Sequence, residues 1–150
     1  MKILFVSGGN SRYSIIPPVE NQADNIEKFC VKVHHYLIKG KGFLGYLNNV
    51  FPLHRKIREN DYDIIHAHYS NSGYLASLAT LNYTIPIVVS LMGSDIYRQN
   101  LSKLIINAIG KIFWDRIIVK SPQMKSQLNI KNIKLIPNGV NFNKFKEIDK

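Results

Sequence analysis

The sequence is poor in the residues that mark several classes of protein. It holds a single cysteine, Cys30, which excludes a disulfide framework within the chain and a zinc site built from several cysteines. The longest apolar runs, such as residues 3–6 and 85–89, have the length of strands and fall far short of the ~20 residues that span a bilayer. The first run is also too short for the hydrophobic region of a signal peptide. These absences favour a soluble, cytoplasmic protein.

Acidic residues are also scarce, because 10 Asp or Glu accompany 20 Lys or Arg and leave a net charge of +10. The excess is +3 in residues 1–75 and +7 in residues 76–150. Such a surface suits a nucleic acid, an anionic membrane face or a diphosphate-bearing ligand. Isoleucine, asparagine and lysine make up 51 of the 150 residues, a bias typical of AT-rich coding sequences, so a merely compositional origin of the charge stays open.

Short apolar segments alternate regularly with amphipathic ones along the chain. Strands are predicted at residues 2–7, 31–38, 64–68, 87–91, 116–120 and 133–136, and helices at about 19–29, 43–58, 73–81, 100–113 and 122–128. Strands that are apolar on both faces and alternate with helices indicate an α/β fold, a Rossmann-like doubly wound parallel sheet with helices on both faces. We expect one domain over residues 1–140 and the start of a linker over 141–150.

Three helices carry specific expectations. The first has Ala23, Ile26 and Phe29 on its apolar face, and Cys30 at its end is interpreted as structural. The second, over residues 43–58, is predicted as one amphipathic helix that Pro52 bends or delays. Ser121 followed by proline predicts a capped helix start.

Ligands of an open α/β sheet bind beyond the carboxyl ends of its strands. The candidate binding residues that follow predicted strands are therefore Gly8, Gly9, Asn10, His68, Tyr69, Gly93, Ser94, Asp95, Asn138 and Gly139. The glycine pair after the first strand either lets backbone N–H groups approach a phosphate or forms a plain turn. The chain contains neither a G-x-G-x-x-G nor a P-loop motif, so the dinucleotide and P-loop interpretations are weak.

The histidine pair on the third strand points to one face of the sheet, because His66 and His68 are two residues apart. The nearest carboxylates, Asp61 and Asp63, precede the strand, so we expect no metal site. His66 is interpreted as a packed residue, whereas His68 is expected to reach the cleft as a hydrogen-bond donor or a base. Asp95 either caps the next helix or faces a sugar or phosphate.

Three segments resemble, in order, the N-terminal half of family 4 glycosyltransferases: DIIHAHY at 63–69, VVSLMGSD at 88–95 and IPNGVNFNKF at 136–145. The resemblance implies the GT-B fold, in which two Rossmann-like domains face each other across a cleft. It also implies a retaining transfer of a sugar from a nucleotide-diphosphate donor, usually without a metal or other cofactor. The N-terminal domain shapes the acceptor side, and the C-terminal domain holds the donor, partly through an E-x7-E pair.

Carried onto this chain, the resemblance matches Gly8 and Gly9 to the loop that faces the donor diphosphate, and His68 with its neighbours to the acceptor-side wall. The segment from Gly93 to Asp95 matches an H-G-x-D-like turn, but Met92 stands where many members have histidine, which leaves Asp95 and His68 as catalytic candidates. Residues 137–140 match the approach to the interdomain linker. No E-x7-E occurs before Lys150, so we expect the donor domain to be missing from this chain.

The leading hypothesis is the acceptor-side domain of a retaining glycosyltransferase, inactive or nearly so alone. Its expected partners are a surface-glycan or lipid-linked acceptor, the missing C-terminal donor domain and an anionic membrane surface on the inner face. The alternative is a non-catalytic Rossmann-like binding module, or a subunit of a split transferase, with a basic surface that faces a membrane or a partner. Nucleic-acid binding ranks last, since no recognised motif and no interleaving of basic and aromatic residues supports it.

Overall fold

A computed structural model of the protein describes residues 1–12, 14–97 and 100–139. Within that part of the chain, six strands form one sheet: β1 (Lys2–Gly8), β2 (Lys32–Ile38), β3 (Ile64–His68), β4 (Ile87–Ser90), β5 (Arg116–Val119) and β6 (Ile133–Leu135). All neighbours are parallel, and the spatial order is β2-β1-β3-β4-β5-β6. The predicted Rossmann-like parallel sheet is therefore confirmed.

The helices connect successive strands. They are α1 (Pro17–Glu27), α2 (Gly42–Leu47), α3 (Val50–Arg58), α4 (Ser70–Ala79), α5 (Ser94–Tyr97), α6 (Asn100–Phe113) and α7 (Pro122–Ser126). Crossovers between parallel strands are right-handed. The step from β1 to β2 runs along the sheet in one direction, and the later steps run in the other. Helix α1 therefore lies on one face of the sheet, and the other crossovers lie on the opposite face. The sheet is thus covered from both sides, and the strand order reverses between β1 and β3.

Two apolar cores reflect these two faces. The larger contains Leu4, Val6 and Ile65 of the sheet with Leu53 of α3 and Ile106 of α6. The smaller packs α1 against the other side of β1 and β2. Alternation along each strand sends successive side chains into different cores, which explains why the strands are apolar on both faces.

The prediction of a single helix over residues 43–58 is wrong, because the helix is interrupted at residues 48–49, between α2 and α3. The buried Asn49 side chain accounts for the break: its Nδ2 donates to the Lys39 carbonyl at 2.8 Å and to the Gly45 carbonyl at 2.6 Å, and its Oδ1 accepts from Tyr36 Oη at 3.0 Å. A side chain that bonds the backbone in this way competes with a continuous helix. Pro52 lies in the first turn of α3, where proline is tolerated.

The end of the first helix also differs from the prediction. Helix α1 stops at Glu27, so Phe29 is exposed instead of lying on the apolar face, and Cys30 is exposed with a φ of +59°. The chain turns here to enter β2, where Lys32 N donates to the Met1 carbonyl at 2.9 Å. Cys30 therefore plays no part in the core, contrary to its structural interpretation.

The crossover after β3 is held close to the sheet. Helix α4 begins at Ser70, three residues before the predicted start, and a Cβ at Gly73 would lie 2.8 Å from the Trp114 ring. Trp114 Nε1 donates to Ser77 Oγ at 3.0 Å, and that hydroxyl donates to the Gly73 carbonyl at 2.9 Å. This packing fixes the first turn of α4 at the carboxyl edge of the sheet.

The C-terminal part of the chain agrees with the sequence patterns up to residue 139. Ser121 caps α7 by accepting from Met124 N at 3.2 Å, as predicted. The predicted linker over residues 141–150 lies outside the described residues.

Candidate functional site

A polar cleft of about 420 Å³ opens where the strand order reverses, at the carboxyl ends of β1 and β3. Open α/β sheets bind their ligands at this position. The cleft is lined by Gly8, Asn10, Ser11, Ile16, Tyr46, Tyr69, Ser70, Asn71, Ser94, Asp95 and Ser102. The lining thus comes from the end of β1 and the loop after it, from Tyr69 after β3, from the first residues of α4 and α5, and from helices α2 and α6.

The loop after β1 is tied to the loop after β2. Gly9 N donates to the Ile38 carbonyl at 2.9 Å, and a Cβ at Gly9 would lie 2.8 Å from Leu37 Cβ, so this glycine is needed for packing. The Asn10 side chain donates to the Gly40 carbonyl and accepts from Gly40 N at 3.1 Å. Gly8, by contrast, borders the cleft, and a Cβ there would meet Tyr46 Oη at an ordinary contact distance of 4.0 Å.

The backbone at the end of β3 is strained at Tyr69. This residue has a φ of +74° and a ψ of 152°, a backbone conformation that residues other than glycine rarely adopt. Its N–H donates to the Ser90 carbonyl at 2.9 Å, and its carbonyl accepts from Gly73 N at 3.1 Å. Hydrogen bonds to β4 on one side and to α4 on the other therefore hold Tyr69 in this conformation. The conformation allows α4 to begin directly after β3.

Asp95 joins the two loops that form the floor of the cleft. Its Oδ1 accepts from Ser70 N at 3.0 Å and from Ser70 Oγ at 2.8 Å, and its Oδ2 accepts from Met92 N at 2.8 Å. Both carboxylate oxygens are therefore engaged in charge-assisted hydrogen bonds, which hold the start of α4 against the turn after β4. This geometry makes Asp95 a positioning residue of the cleft.

Two tyrosines stand beside this carboxylate. Burial, and secondly the negative charge of Asp95, raise the pKa of Tyr46. Burial likewise raises the pKa of Tyr74 to about 12, although its hydrogen bond with Ser70 acts in the opposite direction. Both phenols are therefore neutral near pH 7. Among the described residues that line the cleft, Asp95 is the one charged side chain, and the polar remainder consists of hydroxyl and amide groups. This set suits the hydroxyls of a sugar better than it suits a phosphate.

The histidine pair of β3 lies behind the cleft instead of in it. His68 is 0% exposed; it stacks on His66 with ring centroids 4.5 Å apart and meets the Phe5 ring edge-on at 4.8 Å. The expectation that His68 reaches the cleft is therefore wrong, because its side chain alternates onto the α1 face of the sheet. His66 is also packed, and its Nε2 is 2.8 Å from Ser90 Oγ.

Burial governs the charge of both histidines. It lowers the pKa of His66 to about 4, with a smaller effect from Lys120, and it lowers the pKa of His68 well below its ordinary value, with further effects from His66, Lys120 and His35. Burial also lowers the pKa of Lys120. Within the described residues, neither ring nitrogen of His68 has a hydrogen-bond partner. The pair is thus neutral near pH 7.

The structure brings some of the predicted binding residues together and separates others. Gly8, Asn10, Tyr69, Ser94 and Asp95 line the cleft. Gly93, with a φ of +93°, lies in the turn before α5, and its carbonyl accepts from Ile96 N and Tyr97 N. Gly9 packs on β2.

The last two predicted residues lie elsewhere in the fold. Asn138 and Gly139 are exposed beyond β6, at the far edge of the sheet and three strands away from β3. They do not line this cleft.

Several lining residues did not stand out in the sequence. Ser70 and Asn71 are not among these, because they follow the third strand directly and the strand-end rule selects them together with Tyr69. Tyr46 and Ser102 come from helices, and no local pattern marks them. In the described ranges, no three His, Cys, Asp or Glu side chains are grouped as a metal site, and no helix has the length and apolar character needed to cross a membrane.

A Rossmann-like domain with a polar cleft at the reversal of its strand order defines the class of this protein. Residues 13–144 match Glycosyltransferase Family 4, which covers most of the 150 residues. The chain therefore belongs to glycosyltransferase family 4, as the three sequence segments predicted. No curated protein sequence matches the chain.

Solved structures of low sequence identity share the fold. A sucrose-phosphate synthase chain from Thermosynechococcus elongatus has a TM-score of 0.74 at 15% identity, over 94% of this chain and 91% of that one. Anabaena HepE in complex with UDP-glucose has a TM-score of 0.67 at 19% identity over 95% of this chain, and Acinetobacter baumannii MurG has 0.65 at 11% over 95%. The chain spans 45% of that HepE chain and 46% of that MurG chain. It thus corresponds to an N-terminal domain of the GT-B fold.

Proposed function

We propose that this chain is the acceptor-side domain of a retaining glycosyltransferase that moves a sugar from a nucleotide-diphosphate donor to a surface-glycan or lipid-linked acceptor. The observation that carries the proposal is the cleft at the carboxyl ends of β1 and β3 in a family 4 chain. Its hydroxyl and amide lining, with a single carboxylate among the described residues, has the chemistry that orients sugar hydroxyls.

The acceptor would be positioned by groups that are already held in place. Asp95 fixes the start of α4 through Ser70, so the Asn71 amide and the Ser94 hydroxyl face the cleft from rigid elements. Fixed polar groups favour a reaction by placing the attacking hydroxyl at low entropic cost. Asp95 remains the catalytic candidate that borders the cleft, whereas His68 is enclosed behind it.

A donor-side domain would supply the facing wall. HepE and MurG are each about twice as long as the matched region, and the HepE structure contains UDP-glucose. Half of such a cleft provides little desolvation or positioning of the donor. We therefore propose that the 150-residue chain alone is inactive or nearly so, that it needs no metal, and that it acts on the cytoplasmic side of a membrane.

Calorimetric titration of the chain with UDP-, GDP- and ADP-sugars tests whether the donor site lies outside this domain. The proposal predicts no binding in the micromolar range and no turnover. Micromolar binding of a nucleotide sugar by the chain alone would refute it, because the donor site would then lie on this domain. Asn71→Ala, compared with the exposed control Asn129→Ala, would show whether any such binding uses the cleft.

A further inference from the structure

The outer side of α6 exposes a row of apolar side chains. Leu101 is 62% exposed, Leu104 is 66% exposed and Ile112 is 74% exposed, and Ile105 and Ala108 are exposed between them. Positions 101, 104, 108 and 112 are separated by three or four residues, the spacing at which side chains share one side of a helix. We call the row formed by these five residues the α6 stripe.

The α6 stripe is not the face by which the helix packs on the sheet. Ile106 is buried in the larger core, and a Cβ at Gly110 would lie 2.9 Å from Ile130 Cδ1. The helix is therefore apolar on two sides, whereas an ordinary surface helix is polar on the side that faces away from the core. A contiguous apolar row of this kind marks a surface for another molecule.

The sequence of the α6 stripe is symmetric about Ala108. Leu104 lies four residues before this alanine, and Ile112 lies four residues after it. If two copies of α6 packed antiparallel with Ala108 on a twofold axis, Leu104 of each copy would oppose Ile112 of the other. Both copies would then use the same patch, as in an isologous interface. The small side chain of Ala108 at the crossing point suits the separation of about 8–10 Å at which helices pack.

We propose that the α6 stripe binds the α6 stripe of a second copy of this chain in a twofold-symmetric, antiparallel helix pair. The charges of the helix are compatible with this pairing. Helix α6 carries Lys103 and Lys111 and no acid. In the proposed register Lys111 opposes Ile105, so its apolar stem covers the stripe while its ammonium group reaches water. The two copies of Lys111 would be about 9 Å apart along the helix axis, a distance at which physiological salt weakens their repulsion.

The area of the α6 stripe fits a weak dimer. Each of its four large side chains offers roughly 100 Å² of apolar surface, so pairing two copies buries roughly 800–1,000 Å². This area lies below the ~1,600 Å² of a standard stable interface and in the range of transient ones. We therefore expect a dissociation constant of roughly 1–100 µM.

This pairing would leave both polar clefts open. Ser102, in the first turn of α6, lines the cleft, and the helix runs from there toward the amino end of β5. In an antiparallel pair the two clefts therefore open at opposite ends of the dimer. The pairing is independent of sugar transfer, so this proposal and the proposed function can fail separately.

Analytical ultracentrifugation of the 150-residue chain over a concentration series measures the pairing. Leu104→Glu should raise the dissociation constant about a hundredfold or more, because each dimer would lose two buried leucines and gain two buried charges. Phe29→Glu is the matched control and should leave the constant unchanged, because Phe29 is exposed after the end of α1, on the opposite face of the sheet. Both native side chains are exposed, so neither substitution should change the urea unfolding midpoint of the monomer.

Cysteine crosslinking tests the position of the twofold axis. In a Cys30→Ser background, Ala108→Cys should give a disulfide-linked dimer on mild oxidation, because facing residues of two closely packed helices lie within reach of a disulfide. Leu101→Cys should give none, because the two copies of residue 101 would be about 21 Å apart along the helix axis.

Three results would overturn the proposal. One is a chain that stays monomeric at concentrations well above the micromolar range. Another is a dimer that Leu104→Glu leaves intact, or one that Leu101→Cys crosslinks as efficiently as Ala108→Cys, because the interface would then lie elsewhere or have another register. The third is a monomer that sediments with phosphatidylglycerol vesicles and loses this binding in Leu104→Glu, because a bilayer would then occupy the stripe.

Discussion

The buried histidine pair should make the stability of this domain depend on pH. The folded-state pKa of His66 is about 4, whereas the unfolded chain has an ordinary value near 6.5. Between these values the unfolded state binds more protons, so the free energy of unfolding rises with pH. The stability is therefore complete above about pH 6.5 and is lost progressively as the pH falls toward about 4.

The size of the effect follows from this one pKa difference. Because folding lowers the pKa of His66 from 6.5 to about 4, the free energy of unfolding falls by about 2 kcal/mol between pH 7 and pH 5. The lowered pKa of His68 adds a further loss in the same direction. Together they are a substantial part of the ~5–15 kcal/mol that stabilises a typical domain.

Urea unfolding at pH 7 and pH 5 measures the loss, with His68→Leu as the diagnostic variant. Leucine removes two ring nitrogens that lack partners among the described residues, so stability at pH 7 should stay within about 1 kcal/mol of the wild type while the pH-dependent loss shrinks. His34→Gln, on the outer strand β2, should keep most of the pH dependence. A wild-type stability that does not change over this range, or a full loss retained in His68→Leu, would refute the reasoning.

Three further predictions concern the residues that shape the cleft. Asp95→Asn should destabilise the fold by about 2–3 kcal/mol in urea unfolding, because an amide cannot accept from both Ser70 and Met92. Asp61→Asn is the control. Equal stability of the two variants would show that these hydrogen bonds of Asp95 do not stabilise the fold. Tyr69→Gly should raise the thermal midpoint by relieving about 1 kcal/mol of backbone strain, and a lower midpoint would show that its side-chain contacts outweigh the strain. Gly73→Ala should lower the free energy of unfolding by about 1–3 kcal/mol, because the added methyl group would contact Trp114. Gly139→Ala should cause no measurable change, because the space around Gly139 is open. Similar unfolding curves for the two variants would exclude the close packing of α4.

Local periodicity and strand-end glycines were sufficient to predict the parallel sheet and the region of the site. The strands are apolar on both faces because both sides are covered, and that pattern is visible in the sequence. The helix break at residues 48–49 was not predictable, because it depends on Asn49 reaching Lys39 and Tyr36 across the fold. A continuous apolar periodicity at 43–58 concealed it.

The composition of the site was predicted less well than its location. His68 has the residue type and position of a functional histidine, yet its placement follows from which face of β3 the even residues occupy. Tyr46 enters the cleft from α2, which the sequence pattern did not separate from α3. Long-range packing of this kind leaves no local sequence pattern.

The central claim is that the cleft between β1 and β3 binds the acceptor sugar and not the donor. Backbone amide NMR of the chain during titration with short oligosaccharides tests it most directly. We expect shifts centred on Gly8, Tyr46 and Asn71, which line the cleft. Asn71→Ala should weaken these shifts, and the exposed control Asn129→Ala should not. The claim would be contradicted if oligosaccharides left these amides unchanged while a nucleotide sugar shifted them.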